Sequence, residues 1–452
     1  MIWLEERGAH TLTHRTEAAM LDLSRRDFAR LLAFTGSAAL FPERALAAAA
    51  PLRELGLTDA PLPPTPREPD EKFWHDVRSR FLLPRDLGFM NAANLCPTSL
   101  PVVDALDRSA RLYEAGPTPE ARTVLMKERE ETRRLLAEMF RVTPEEIVIT
   151  RNTSEGNNFI SSGLDLKSGD EIIVFSDNHP SNLRAWVDKG KRFGFNVVSV
   201  PHANPHPGTE YYVDAFKKLI TPKTKLIALT HVSSNSGDVF PAAEVCAMAR
   251  DHGVLSLLDG AQSFGVLDVD LSVIKPDFYT GSAHKWPCGP KEVGVLFVAK
   301  PVQDRVSPTV IGLYQGAVGI SQKLEGTGQR DDAKLATFAE ALKFRNQIGR
   351  DVSDRRARAL AQRLISEVGK LDGVKMWTHR DPAKSGAIVI FKPGALDPRK
   401  LNAALTEKDR FVVTARAGED RPGLRLSPHF YNTMDEVDRF VGVLRGYLRT
   451  GV

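Results

Sequence analysis

Apolar residues are spaced in two different ways along this chain. From about residue 120, short and nearly continuous apolar runs alternate with longer stretches of helical periodicity. The runs are "EIVIT" (146–150), "EIIVFS" (171–176), "NVVSV" (196–200), "KLIALTHV" (225–232), "VLSLLD" (254–259) and "VGVLFV" (293–298). Val, Ile and Leu without polar alternation mark strands covered on both faces, and several of the intervening segments are long enough for crossover helices. The pattern predicts an α/β domain on a mostly parallel central sheet. Beyond Gly328 the texture changes. A helical stretch over 331–371 precedes "AIVIFK" (387–392), "FVVTAR" (411–416) and "GLRLS" (423–427), and an amphipathic helix begins at Met434. This predicts a smaller α+β domain. No internal repeat is visible, and no apolar run can span a membrane.

The amino-terminal segment follows neither pattern. "SRRDFARLLAFTGSAALF" (24–41) pairs Arg25 with Arg26, places Phe28 two positions on, and continues into a short, modestly apolar run. It resembles a twin-arginine export signal, with Ala45-Leu46-Ala47 as a small-x-small cleavage site. The bland alternative is an amphipathic surface helix. The leader before the arginines is long, so Met20 competes with Met1 as the start. We divide the chain into a signal (1–47), a proline-rich linker (48–70) lying outside the compact core, a large domain (71–330) and a small domain (331–452). The start of the large domain is expected to pack on the small one.

Composition narrows the partners. A formal charge of +4 from 61 basic and 57 acidic residues, with no block of like charge, gives no nucleic-acid footprint. Residues 1–47 carry six of each sign, so losing them leaves +4. A small or peptide-like substrate is the default. Cys96, Cys246 and Cys288 lack metal-ligand spacing and cannot form a disulfide framework for a chain this large. No metal is expected.

Ligands of open α/β sheets gather at the carboxyl ends of strands, and four such ends are unusual. In "ITRNTSEGNNF", Thr153 and Ser154 open a helix whose free N–H groups suit a phosphate, or they are plain helix caps. In "VLSLLDGAQSFG", Asp259 ends an apolar run and Gln262 follows. A buried carboxylate needs a cation or several donors, such as a protonated heteroaromatic nitrogen, and a structural salt bridge is the alternative. In "GSAHKWPCGP" (281–290), Gly281, Ser282 and Ala283 leave room for a flat ring over the backbone. Lys285 could then form a Schiff base, although most lysines merely lie on the surface. In "FSDNHPSN", His179 could stack on a flat cofactor or be an idle loop residue.

A phosphate loop, a stacking His, Asp-x-x-Gln, and Ser-x-His-Lys 23 to 26 residues after the Asp together resemble the class V aminotransferase family, fold-type I enzymes dependent on pyridoxal 5′-phosphate (PLP). The likeness runs from about residue 75 to the carboxyl end, where "RLSPHFYNTMDEVDRF" (425–440) matches the family's terminal Arg-bearing strand and helix. It implies a seven-stranded, mostly parallel sheet with helices on both faces and a small α+β domain. By position, Lys285 would be the Schiff-base lysine and proton shuttle, Asp259 would hold the pyridine nitrogen, Gln262 would bond the ring 3′-oxygen, and His179 would stack. Thr153, Ser154, Ser282 and His284 would serve the phosphate. Arg425 would grip the substrate carboxylate, with Arg416 a second candidate. "LEGTGQRDD" (324–332) resembles a segment that carries a Thr, here Thr327, to a partner's phosphate, which implies a homodimer with shared sites.

The departures bear on the reaction. The family's desulfurases carry a nucleophilic cysteine shortly before the arginine matched by Arg425, and here that loop reads "RAGEDRPGLR". Cys288 beside the lysine is expected to be a packing residue. What remains is chemistry at an amino-acid α-carbon. "RLSPHFYNT" resembles the isopenicillin N epimerase-like branch most, so an exported (periplasmic) aminotransferase or epimerase is expected, with a β-elimination or carbon–sulfur lyase as the alternative. A cytoplasmic enzyme is the other placement. A non-catalytic scaffold would be expected to lose Lys285 or Asp259, and both are present.

Overall fold

A computed structural model describes residues 62–313, 316–416 and 420–452. The twin-arginine stretch, its cleavage site, Met20 and the linker up to Pro61 lie outside the described residues. From Leu62 the proline-rich stretch lies against the body: Leu62 is part of a buried cluster, and Thr65 Oγ1 donates to the Gln347 carbonyl at 3.2 Å. To that extent, the expectation that it stays outside the core is corrected.

Thirteen strands are present among the described residues. β1 (Gly88–Phe89) comes first. β2 (Ile147–Thr150), β3 (Glu171–Phe175), β4 (Asn196–Val200), β5 (Thr224–Thr230), β6 (Leu255–Asp259), β7 (Phe278–Ser282) and β8 (Gly294–Val298) build a seven-stranded sheet in the order β2-β8-β7-β6-β5-β3-β4. β3 to β7 pair in parallel, while β8 runs antiparallel to both β7 and β2. The sheet is therefore mixed, with one reversed strand. β9 (Val374–Met376), β10 (Val389–Pro393), β12 (Thr414–Arg416) and β13 (Gly423–Leu426) form an antiparallel sheet, and β11 (Phe411–Val412) pairs in parallel with β1.

The helices are α1 (Glu71–Arg78), α2 (Leu100–Glu114), α3 (Pro119–Phe140), α4 (Thr153–Gly163), α5 (Pro180–Phe193), α6 (Thr209–Lys217), α7 (Ala242–Asp251), α8 (Leu271–Ile274), α9 (Ser321–Leu324), α10 (Asp332–Ile348), α11 (Arg350–Val368), α12 (Pro398–Glu407) and α13 (Met434–Thr450). The predicted helical stretch 331–371 divides at Gly349, which sits at φ 92°, a region open to glycine.

Strand alternation divides the core of the large sheet. Ile147, Ile149, Ile173, Phe175, Ile227 and Leu229 bury one face, while Val148, Ile172, Val174, Leu226 and Ala228 bury the other. Period-two side chains covered on both sides give the near-continuous apolar runs of the sequence. The small antiparallel sheet has its own core, to which Phe73, Trp74, Val77 and Phe81 from the start of the chain contribute. α10 belongs to both: Leu335, Phe338 and Leu342 face the large-sheet core, and Phe344 and Ile348 face the other.

Candidate active site

Four loops leave the carboxyl edge of the large sheet and, with Arg425 on β13, enclose a cavity of about 270 Å³. Its lining includes Thr153, Ser154, His179, Asp259, Gln262, Ser282, His284, Lys285 and Arg425, so nine of the eleven residues expected from the sequence are brought together. Arg416 does not line it; its Nη1 donates to the Ser234 carbonyl at 3.4 Å. Thr327 lies in a separate groove with Arg151, Glu292 and Arg330.

Asp259 ends β6 and is 2% exposed. Its Oδ2 accepts from Asn157 Nδ2 and Asn182 Nδ2, each at 3.1 Å, and its Oδ1 accepts from the Ala261 N–H at 3.1 Å. These donors are neutral, and no lysine or arginine among the described residues forms a salt bridge with this carboxylate. A buried carboxylate of this kind is ready to receive a cationic N–H. The sequence reading missed Asn157 and Asn182, although both lie in stretches it singled out. An amide on a helix carries no mark that it points inward.

Lys285 follows the end of β7. Burial pushes its ammonium down to about 8; Asp259 opposes that shift and Arg425 adds to it. The amine is thus available as a nucleophile and base near neutral pH. Its neighbour His284 is pushed to about 4 by burial, with Lys285 and Lys291 adding, so it is neutral and can donate one N–H. Gln262 is tied at both ends of its amide: Nε2 donates to the Ala93 carbonyl and Oε1 accepts from Trp286 Nε1, both at 2.9 Å. One Nε2 hydrogen remains for a ligand.

The small residues on either side of Lys285 have a different cause from the one the sequence suggested. A Cβ on Gly281 would stand 2.6 Å from the Phe264 ring, and one on Gly289 2.6 Å from the Phe338 ring. Ala283 is fully buried in the same core. Strand alternation turns Ser282 to the cavity and its neighbours inward. The crowding therefore comes from core packing beneath the loop, and the idea that Gly281 and Ala283 form a floor for a ring is corrected.

The N-cap of α4 is Asn152, whose side chain accepts from the Glu155 N–H at 2.9 Å. The Thr153 N–H donates to Ser282 Oγ at 2.9 Å, and the two hydroxyls meet at 2.8 Å. Gly156 N–H bonds the Asn152 carbonyl, which leaves the Ser154 amide at a helix N-terminus for an anion. His179, exposed at the cavity mouth, accepts the Ser181 N–H at Nδ1, so Nε2 carries the ring hydrogen. Packing on its other side holds its pKa below normal; the Lys285 and Arg425 charges add to this and Asp259 opposes it. Arg425, its Nε buried and without a hydrogen bond, is pushed to about 10 by burial and by the nearby Arg416. A guanidinium in this state favours a carboxylate ligand.

The class-V aminotransferase family model matches residues 92–440. The chain belongs to that family. Among its relatives, a probable cysteine desulfurase of Pyrococcus abyssi is 27% identical over 399 residues, covering 83% of this chain and 98% of the relative. An isopenicillin N epimerase of Streptomyces clavuligerus is 28% identical over 398 residues, covering 82% and 97%. Of solved structures, a mutant of C-DES with glycine covalently linked to its PLP cofactor superposes with a TM-score of 0.75 at 25% identity, covering 84% of this chain and 99% of that one. The cystine C–S lyase C-DES with its product cysteine persulfide gives 0.73, also at 25%, covering 80% and 98%.

As a class-V aminotransferase-family protein, the chain is an enzyme that uses PLP. The residues present fit that group: a depressed lysine amine, a buried carboxylate lacking a cation, a helix N-terminus with hydroxyls, and an arginine with an orphaned Nε. No cysteine lines the cavity. Cys246 and Cys288 are buried, and burial pushes both thiols up, in Cys288 with the Cys96 thiol adding. Among the described residues no helix is long and apolar enough to cross a membrane.

Proposed function

We propose that the enzyme acts at the α-carbon of an amino acid bearing a β-leaving group and eliminates that group. The observation that carries this reading is a cavity in which Lys285 stands with Asp259 and Arg425 and no thiol is present. The desulfurase-named relatives and the C–S lyase structure support cleavage at Cβ, and the missing thiol removes the route through an enzyme persulfide. PLP would supply the electron sink for the carbanion.

The chain's own residues take the following roles. Arg425 holds the substrate carboxylate through its guanidinium fork. Lys285 would hold the cofactor's aldehyde and, once the substrate amine has displaced it, its free amine would take the α-proton. The β-substituent would leave with its bonding pair, Lys285 would displace the unsaturated amino acid, and one water would then hydrolyse that product to pyruvate and ammonia. Asp259, oriented by Asn157 and Asn182, would keep a ring nitrogen protonated, and Gln262 and His179 would hold the ring's edge and face. Ser154, Thr153, Ser282 and neutral His284 would bind the phosphate.

A second reading, transamination or epimerisation, is favoured by the isopenicillin N epimerase relative, which the chain matches over nearly its whole length. Incubating the PLP-loaded enzyme with amino acids in heavy water separates the three. Pyruvate with ammonia is expected. A keto acid with a pyridoxamine form would replace elimination with transamination, and deuterium at Cα without keto product would replace it with epimerisation. Loss of the visible lysine-linked absorbance in Lys285→Ala is expected throughout, and its persistence would overturn the whole assignment.

We further propose export through the twin-arginine machinery, supported by Arg25, Arg26 and Phe28 ahead of the Ala-Leu-Ala site. Replacing both arginines by lysine should hold the protein in the cytoplasmic fraction; unchanged fractionation would refute export. A homodimer is proposed from the likeness around Thr327 and from Ile311 and Leu313, which are 89% and 87% exposed in the same region.

A further inference from the structure

Outside the cofactor cavity, three donor side chains from distant parts of the chain meet in the core. The sulfurs of Cys96 and Cys288 and a ring nitrogen of His429 all lie within 4.8 Å of one another. Cys96 is 1% exposed, Cys288 3% and His429 0%. None of the three lines the cavity that contains Lys285.

The histidine is held as a metal-binding histidine is held. Its Nε2 lies 2.6 Å from the Trp286 carbonyl, and because a carbonyl can only accept, Nε2 carries the hydrogen. Nδ1 then carries a lone pair, and no donor among the described residues reaches it although it is buried. A ring N–H donated to a backbone carbonyl, leaving the other nitrogen basic, is the usual outer support of a ligating imidazole. The thiols meet each other and otherwise make only long contacts. Cys96 Sγ is 3.6 Å from the Tyr431 hydroxyl and Cys288 Sγ is 3.8 Å from the Trp286 carbonyl, both weak sulfur contacts. Cys288 also sits at φ 55°, a left-handed conformation uncommon for a residue with a side chain.

Two thiols and an imidazole form a soft donor set that suits a d10 ion and ill suits Mg²⁺ or Ca²⁺. Charge selects among such ions. Two thiolates cancel the charge of Zn²⁺, so the loaded site is neutral within an apolar cluster that includes Phe81, Phe344, Phe430 and Tyr431. Binding forms two Zn–S bonds and one Zn–N bond and releases the two thiol protons, with no change of oxidation state. The Tyr431 hydroxyl is an oxygen within reach as a fourth donor.

We propose that Cys96, Cys288 and His429 form a buried zinc site that fastens the Lys285 loop. The backbone already joins these segments: the Cys96 N–H donates to the His284 carbonyl at 2.7 Å and the Cys288 N–H to the Lys285 carbonyl at 2.9 Å. The metal touches neither substrate nor cofactor and acts by position, holding the lysine loop to the segment before α2 and to the one before α13.

The test is metal analysis of PLP-loaded full-length enzyme purified from zinc-supplemented cells. About one zinc per chain is expected, retained through dialysis against a chelator. The zinc content should fall by about tenfold or more in Cys96→Ser, Cys288→Ser and His429→Gln while staying unchanged in Lys285→Ala. Because a cysteine variant can fail to fold, wild-type enzyme is also produced with cobalt in place of zinc. A thiolate-to-cobalt charge-transfer band with tetrahedral visible bands is expected. Folded wild-type enzyme with only trace zinc, zinc unchanged in folded His429→Gln, cobalt enzyme without thiolate charge transfer, or a two-hydrogen mass deficit mapping to a Cys96–Cys288 disulfide would each overturn the site.

Discussion

Lys285 makes the clearest case for reading single residues by their surroundings. In the sequence it is one lysine among many, and only its order relative to Asp259, Gln262 and Arg425 sets it apart. In the fold its amine is pushed from 10.5 to about 8, chiefly by burial. In the apo-protein this has a definite sign. Between about pH 8 and 10.5 the unfolded chain binds more protons than the native one, so stability rises with pH across that window, and below it the full cost of a buried charge is present. Lys285→Met should therefore stabilise the apo-protein by on the order of 2 kcal/mol near neutral pH, with the gain shrinking toward about pH 10. Urea unfolding at the two pH values measures it, and a pH-independent difference would mean the amine is not depressed. The partners of Asp259 were less legible. Asn157 and Asn182 acquire their role only when two helices bring their amides to one carboxylate oxygen.

At the scale of elements, legibility followed how apolar each strand's own residues are: β7 is buried throughout and was missed, while β4 is largely open and was read. The six apolar runs correspond to β2 to β6 and β8 within a residue or two; β2, β3, β5, β6 and β8 are apolar because both their faces are covered, whereas β4, at the sheet edge, was read from its valines alone. β7 was missed because "FYTGS" ends in Thr, Gly and Ser, and the smallness there is set by Phe264 across the core, which no local pattern announces. β9, three residues long, offered too little to read. The cause assigned to Gly281 is open to experiment. Gly281→Ala pushes a methyl into Phe264 and should cost about 1–3 kcal/mol, seen as a lower denaturation midpoint. Phe264→Leu in that background should recover part of the loss, since contacting residues are non-additive. If Gly281→Ala instead weakened PLP binding at unchanged stability, the residue would belong to the cofactor's floor after all.

For the whole molecule, the cavity contains every residue the sequence assigned to one chain's cofactor, and Thr327, which the family likeness assigns to a partner's phosphate, stands apart from it. That separation is what shared sites require, and hybrid dimers can test it. If Thr327 of one subunit completes the site holding Lys285 of the other, then in a dimer of Lys285→Ala with Thr327→Ala one site receives both native residues and the other receives neither. Unfolding and refolding an equal mixture of the two variants makes about half of the dimers hybrids, each with one intact site. Activity should then rise to about a quarter of wild type from two poorly active parents. Thr327→Ala alone should bind PLP more weakly while leaving the fold intact, because a hydroxyl bond to an anion is lost and the core is untouched. If the mixture is no more active than the average of its parents while light scattering still reports dimers, Thr327 serves its own subunit or none, and the dimer exists without sharing its sites.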